Sequence, residues 1–208
     1  MDVIPELIPA PSLESVLASP ARFRTARILS RLPDKEFTGR ELAGTLGLSH
    51  STIQATMRTF VDAGVARERR IGRACVFRAN RDSALLGVLD RLFRAEEQAK
   101  EALVKSIQDA MDKTHSAVIL FGSVARGEAT RRSDLDLLVV TKEPQMTSEA
   151  LAALEERLIR RYGLHVDAKV VTPADIRASD KAYIKNALAE GRVIDPAALA
   201  EVMAAEKN

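Results

Sequence analysis

The passage that most constrains this chain runs from Val118 to Val140, "VILFGSVARGEATRRSDLDLLVV". Each end is a short apolar run of the length and β-branched content of a buried strand. Between them Gly122-Ser123 closes the first run, and a short helix or turn is expected over Ser123–Ala129. The second strand, expected over Asp134–Val140, opens with two carboxylates separated by one residue. Strand alternation puts Asp134 and Asp136 on one face and turns Leu135, Leu137 and Val139 to the other. Two acids facing one way repel each other unless something positive lies between them. Hard oxygen ligands suit Mg²⁺, with Mn²⁺ as its substitute.

The flanking residues read as a phosphate cradle. A backbone without Cβ at Gly122 lets N–H groups approach phosphate oxygens. The start of the following helix adds partial positive charge, and the Ser123 hydroxyl adds a donor. Arg126, one turn later, could reach the same phosphates. A third acid, Asp167, stands on the expected strand His165–Val171, "HVDAKVV". If that strand lies beside the Asp134 strand, three carboxylates converge. Two ions about 3.5–4 Å apart could then grip an entering hydroxyl and a leaving pyrophosphate. Asp134 and Asp136 would bridge the metals, and Asp167 would bind at the entering hydroxyl and take its proton. His165 shares Asp167's parity and reads as a strand-edge residue; Tyr162 and Cys75 read as structural.

This arrangement resembles the nucleotidyltransferase family that includes DNA polymerase β, and most closely its minimal bacterial and archaeal members. The shared pattern is Gly-Ser, ten residues, Asp-x-Asp, then an acid on a later strand. Here Gly122-Ser123, residues 124–133, Asp134-Leu135-Asp136 and Asp167 fill it. Ala125-Arg126-Gly127-Glu128-Ala129 and Ser133 also match, and Ser133 joins Gly122, Ser123 and Arg126 as a nucleotide-binding candidate. The resemblance covers about residues 100–195. It implies transfer of NMP from an NTP to a hydroxyl, with release of pyrophosphate. Larger members hold the acceptor with a helical domain, whereas only short helices are expected after the third strand here, at about 173–179, 181–190 and 196–205. The acceptor is therefore expected elsewhere. For minimal members the resemblance implies a HEPN-type protein partner or an RNA, in toxin–antitoxin-like pairs.

The first 80 residues carry a different signal. A helix from about Ser12 to Leu32, split at Pro20, precedes a second helix, Gly39–Leu46, with Thr38 as N-cap and Glu41 at the capping-box position. Ser49 caps a third, His50–Asp62, whose Ile53, Met57, Phe60 and Val61 recur at helical spacing. Gly64 stops it. Two short strands, Val65–Arg69 and Ala74–Ala79, join through Arg70-Ile71-Gly72-Arg73 as a hairpin. The stretch "LGLSHSTIQATMRTFVDAGVARERRIGRACVFRAN" resembles the winged helix-turn-helix of small bacterial transcriptional regulators, over roughly residues 20–80. Such a fold sets its second helix in the major groove. Ser51, Thr52, Gln54 and Arg58 would face DNA there, and Arg69, Arg70 and Arg73 would bring the wing to phosphates.

Charge supports the division. The chain as a whole is nearly balanced at +2, yet residues 1–80 hold 12 basic against 8 acidic side chains and the rest is slightly acidic. Between them Leu85, Leu89, Leu92, Ala99, Leu103, Ile107 and Ala110 mark a seam, broken at Glu96, along a helix of about Ser83–Asp112. That seam either pairs two chains into a homodimer or packs the two domains of one chain. The expected fold class is α+β: an arm over 1–12, a winged helix-turn-helix over 13–82, a linker helix over 83–112, and a nucleotidyltransferase mixed sheet with flanking helices over 113–208. One cysteine excludes an intrachain disulfide framework, and no apolar run approaches the roughly 18 residues of a membrane span. Met1-Asp2-Val3-Ile4-Pro5-Glu6 lacks the basic start of a signal peptide, so a cytoplasmic, non-membrane protein is expected. Two functions fit. One is a metal-dependent nucleotidyltransferase tethered to a DNA-binding module. The other is a DNA-binding regulator whose back domain senses nucleotide or binds a partner without catalysis.

Overall fold

The computed structural model describes residues 12–128, 133–178 and 180–204. The N-terminal arm, apart from Ser12, lies outside the described residues. So do Ala129, Ser179 and Ala205, the expected ends of three helical segments. The chain forms two compact units that divide after Gln98.

The first unit builds a winged helix-turn-helix. Pro20 does split the first helical stretch. α1 covers Leu13–Leu17, and α2 covers Pro20–Arg31 with Pro20 in its first turn and Ser19 as its cap. Proline tolerates that position because no N–H is needed there. α3 spans Gly39–Leu46 behind the complete Thr38–Glu41 capping box, and α4 spans His50–Asp62 behind Ser49. The wing pairs β2, Ala66–Ile71, with β3, Ala74–Ala79, in antiparallel register from Ala66↔Ala79 to Ile71↔Ala74. Arg70 and Ile71 therefore lie in the strand rather than the turn. The turn is only Gly72-Arg73, with Gly72 at φ +59°, as a two-residue hairpin of type II′ requires. A two-residue strand, β1 (Phe37–Thr38), adds to the other edge of β3. It is too short to show periodicity. Ile53, Met57 and Phe60 of α4 join Leu29, Leu42 and Phe77 in one core.

α5 runs unbroken from Ala84 to Asp112. Of the expected seam only Leu89, Ile107 and Ala110 are buried, with Leu85 and Leu103 partly so, and the two ends of the helix serve different cores. Leu86, Leu89 and Phe93 enter the core of the first unit, while Ile107, Ala110 and Met111 enter that of the second. Leu92, beside Phe93, and Ala99, between the two sets, stay exposed.

The second unit is a four-stranded mixed sheet in the order β6-β5-β4-β7. β4 is Ala117–Phe121, β5 Leu135–Val140, β6 Val166–Val171 and β7 Arg192–Val193. β5 is parallel to β6 and antiparallel to β4. The helices are α6 (Gly122–Arg126), α7 (Pro144–Tyr162), α8 (Pro173–Ala178), α9 (Ala182–Glu190) and α10 (Pro196–Ala204). α7, as the β5-to-β6 crossover, packs with the end of α5 on the face carrying Leu135, Leu137 and Val139. Ile184 and Ala187 of α9 and Val202 of α10 pack on the face carrying Leu138 and Val140. β5 is thus covered on both sides, which explains its nearly continuous apolar run.

Candidate functional site

Register creates the acid face. Parallel pairing sets Asp136 of β5 opposite Asp167 of β6, and antiparallel pairing sets Asp136 opposite Phe121 at the end of β4. Gly122 follows immediately at φ +68°. A Cβ there would stand 2.7 Å from Asp136 Cγ and closer still to Oδ2. Gly122 is thus required twice, by its backbone angle and by the carboxylate lying against it. The Gly-Ser step makes room for Asp136 as well as opening α6, where Ser123 sits half-buried in the first turn.

Asp134 departs slightly from expectation. The ladder starts at Leu135, whose N–H donates to His165 O at 2.9 Å, so Asp134 lies exposed just ahead of the strand, next to Ser133. Alternation therefore governs Asp136 and not Asp134. The acids still sense each other. Burial pushes the Asp136 carboxyl above its ordinary value, and the negative charges of Asp167 and then Asp134 push it further. Burial is the larger cause, and the neighbouring carboxylates add to it.

Two cations offset part of this negative charge. Arg126 donates to Glu128 at 2.9 Å, stands 3.9 Å from Glu190, and feels Asp136; Glu128, first, raises its affinity for its proton. Lys169, not singled out by sequence reasoning, donates to Asp167 Oδ1 at 2.8 Å. The signal for it was available, since Lys169 follows Asp167 by two residues and so shares its face. His165 turns aside from the acids, with Nδ1 3.8 Å from Glu155 of α7. Tyr162 packs in the α7-side core.

The residues present fit a divalent cation in their chemistry: Asp136 and Asp167 are hard carboxylates set side by side on adjacent strands, with Asp134 just ahead of β5. Among the described residues no group of three His, Cys, Asp or Glu is already gathered as a ligand set. With Asp167 engaged by Lys169, cation binding requires that side chain to regroup.

On the first unit, the predicted reading residues all lie on α4 or the wing. Ser51, Gln54 and Arg58 are exposed, and Thr52 is half-buried. The Ser49 hydroxyl lies 2.9 Å from that of Ser51 and 2.8 Å from that of Thr52, so both belong to the cap as well as to the surface. Of the wing arginines, Arg69 is held by both carboxylate oxygens of Glu36 at 3.0 and 2.8 Å. Arg70 and Arg73 have no ion pair among the described residues, nor do Arg58 and Arg40. Arg40, which sequence reasoning passed over, lines a cleft of about 520 Å³ with Arg73, His50 and Gln54. His50 and Gln54 lie against Gly39, so the α3 and α4 starts and the wing meet there. Cys75, at the same cleft, donates an S–H hydrogen bond to Glu68 at 2.9 Å; burial and that bond push its pKa up to about 11.

A family model described as "Nucleotidyltransferase domain" matches residues 101–195. Two Methanocaldococcus jannaschii proteins are similar to part of this chain. One, named "Putative protein adenylyltransferase MJ0604", is 30% identical over 101 residues, covering 48% of this chain and 97% of the relative. The other, "Putative protein adenylyltransferase MJ1305", is 39% identical over 64 residues, covering 29% of this chain and 44% of the relative. Among solved structures, the homodimeric winged helix-turn-helix DNA-binding domain of Mycobacterium bovis Mb0332 overlays 40% of this chain and 72% of its own. Its identity is 22% and its TM-score 0.32. The helix order and wing described above, rather than that overlay, identify the N-terminal fold.

Proposed function

The chain belongs to the nucleotidyltransferase-domain family, and from that premise we propose that its second unit transfers AMP from ATP to a hydroxyl of a protein while its first unit binds DNA. The observation that carries the transfer reading is the register that sets Asp136 against Gly122 and beside Asp167. The names of the two archaeal relatives support ATP as donor and a protein as acceptor; an RNA acceptor or a HEPN-type partner is tested alongside.

In this reading Asp134, Asp136 and Asp167 hold Mg²⁺ or Mn²⁺. When bound, the ions would draw charge from the transferring phosphoryl group and the leaving pyrophosphate. Gly122, Ser123, Arg126 and Ser133 position the triphosphate. The acceptor oxygen bonds to the α-phosphorus, the bond from that phosphorus to the bridging oxygen breaks, and pyrophosphate leaves. Asp167 takes the acceptor's proton. Incubation of the full chain with α-labelled ATP, Mg²⁺ or Mn²⁺ and candidate acceptors should label a product. Asp134→Ala with Asp136→Ala should abolish it. Equal behaviour of wild type and that variant on every acceptor would leave the alternative, a nucleotide-sensing regulator without catalysis.

The DNA reading rests on α4 and the wing. Gln54 and Ser51 face base edges, with Arg58, Arg70, Arg73 and Arg40 on phosphates and Thr52 and Arg69 in support. Pairing of two chains along the exposed middle of α5, at Leu92 and Ala99, would bring two readers to two half-sites. A monomer mass in light scattering at micromolar concentration would exclude that pairing.

A further inference from the structure

Lys169 stands out because it is a cation on the one face that the transfer chemistry needs for carboxylates. β6 alternates so that Val166, Ala168 and Val170 pack toward α7, while Asp167, Lys169 and Val171 share the Asp136 face. Lys169 pairs in register with Leu138, two residues along β5 from Asp136 and on the same face. Its ammonium donates to Asp167 at 2.8 Å, with about half of each side chain exposed. An ammonium and a divalent cation cannot both take the same carboxylate lone pairs at full strength, and their like charges repel at short range.

We propose that Lys169 is the resident counter-cation of this site: it holds Asp167 in the ion-free state and must release it when a divalent cation binds, so that it sets the cation concentration at which the site assembles. This rests on the metal-dependent transfer proposed above. Geometry favours competition over a purely structural ion pair: Lys169 holds an oxygen of the carboxylate that the transfer chemistry assigns to the ion, and it does so on the β6 face that register sets beside Asp136. Lys169 is a positioning residue here, acting through Asp167.

The test is titration of the full-length protein with Mn²⁺ by isothermal calorimetry. A half-exposed ion pair has to be broken in the wild type, so Lys169→Met should bind Mn²⁺ about two- to fivefold more tightly. Lys169→Arg, which restores the pair, should return affinity to the wild-type value or weaken it. In an Asp167→Asn background the change at Lys169 should have no effect. Unchanged or weaker Mn²⁺ binding by Lys169→Met overturns the proposal, as does a gain that persists without Asp167. If in either case Mn²⁺ binding still depends on Asp136, the transfer reading stands without it. Mn²⁺ binding that is absent from every variant, or indifferent to Asp136, overturns both.

Discussion

Gly122→Ala tests the packing of glycine against carboxylate directly. At φ +68° an alanine pays roughly 1–2 kcal/mol for the left-handed backbone. Its methyl would also stand 2.7 Å from Asp136 Cγ, where ordinary contact begins at 3.4 Å, so the carboxylate must move by more than half an ångström. Overpacking of this kind costs about 1–3 kcal/mol. The expected total is therefore about 2–5 kcal/mol. In an Asp136→Ala background the crowding oxygens and Cγ are gone, and Asp136 Cβ, at 3.1 Å, was the mildest of the contacts. Only the backbone cost of about 1–2 kcal/mol should then survive. The assay is urea unfolding followed by tyrosine fluorescence. The chain has no Trp, and its two Tyr, Tyr162 and Tyr183, both lie in the second unit. Transfer activity should fall about 100-fold with Gly122→Ala, because displaced catalytic groups lose that much for about an ångström. Equal destabilisation by Gly122→Ala in both backgrounds would refute the reasoning.

The pH dependence follows from Asp136. Its folded carboxyl lies above its ordinary value, so its favourable contribution is complete below about pH 3.9 and is lost as pH rises through the folded value. Asp136→Asn should therefore raise the urea midpoint of the ion-free protein at pH 7 and change it little in acid, while ending transfer; a lower midpoint at pH 7 would contradict this. Arg40→Ala with Arg73→Ala should weaken binding to a promoter duplex and reduce the slope of log affinity on log salt by about 2, measured by fluorescence anisotropy. Arg69→Ala should do less, since Glu36 already holds that side chain, and equal effects would remove Arg40 and Arg73 from the proposed DNA face. Thr38→Ala, which breaks the capping box at α3, should cost the first unit about 1 kcal/mol in urea, seen by far-UV circular dichroism. The Cys75 thiol, with a pKa of about 11, should react with iodoacetamide at pH 8 far more slowly in the folded protein than in urea.

What is local or periodic in this chain could be read before any fold was known. Ser49, the Thr38–Glu41 box and Pro20 marked helix starts because capping uses residues three apart. The strands of the second unit's centre were legible as apolar runs, and Gly122-Ser123 with Asp134, Asp136 and Asp167 was legible from spacing and resemblance. β1 and β7, of two residues each, had no period to read, since they exist only by pairing with β3 and β4. The seam of α5 was visible, but not that its two ends enter different cores. Which distant partner a charge takes came only with the folded chain. Glu36 reaches Arg69 across 33 residues, and Arg73 of the wing meets Arg40 at one cleft although nothing local marks Arg40. Asp136 came to lie against Gly122 because β4 and β5 pair antiparallel, and beside Asp167 because β5 and β6 run parallel. Side-chain charge is written in the sequence; a distant counter-charge is set by strand register and packing, which long-range pairing fixes and no local pattern encodes.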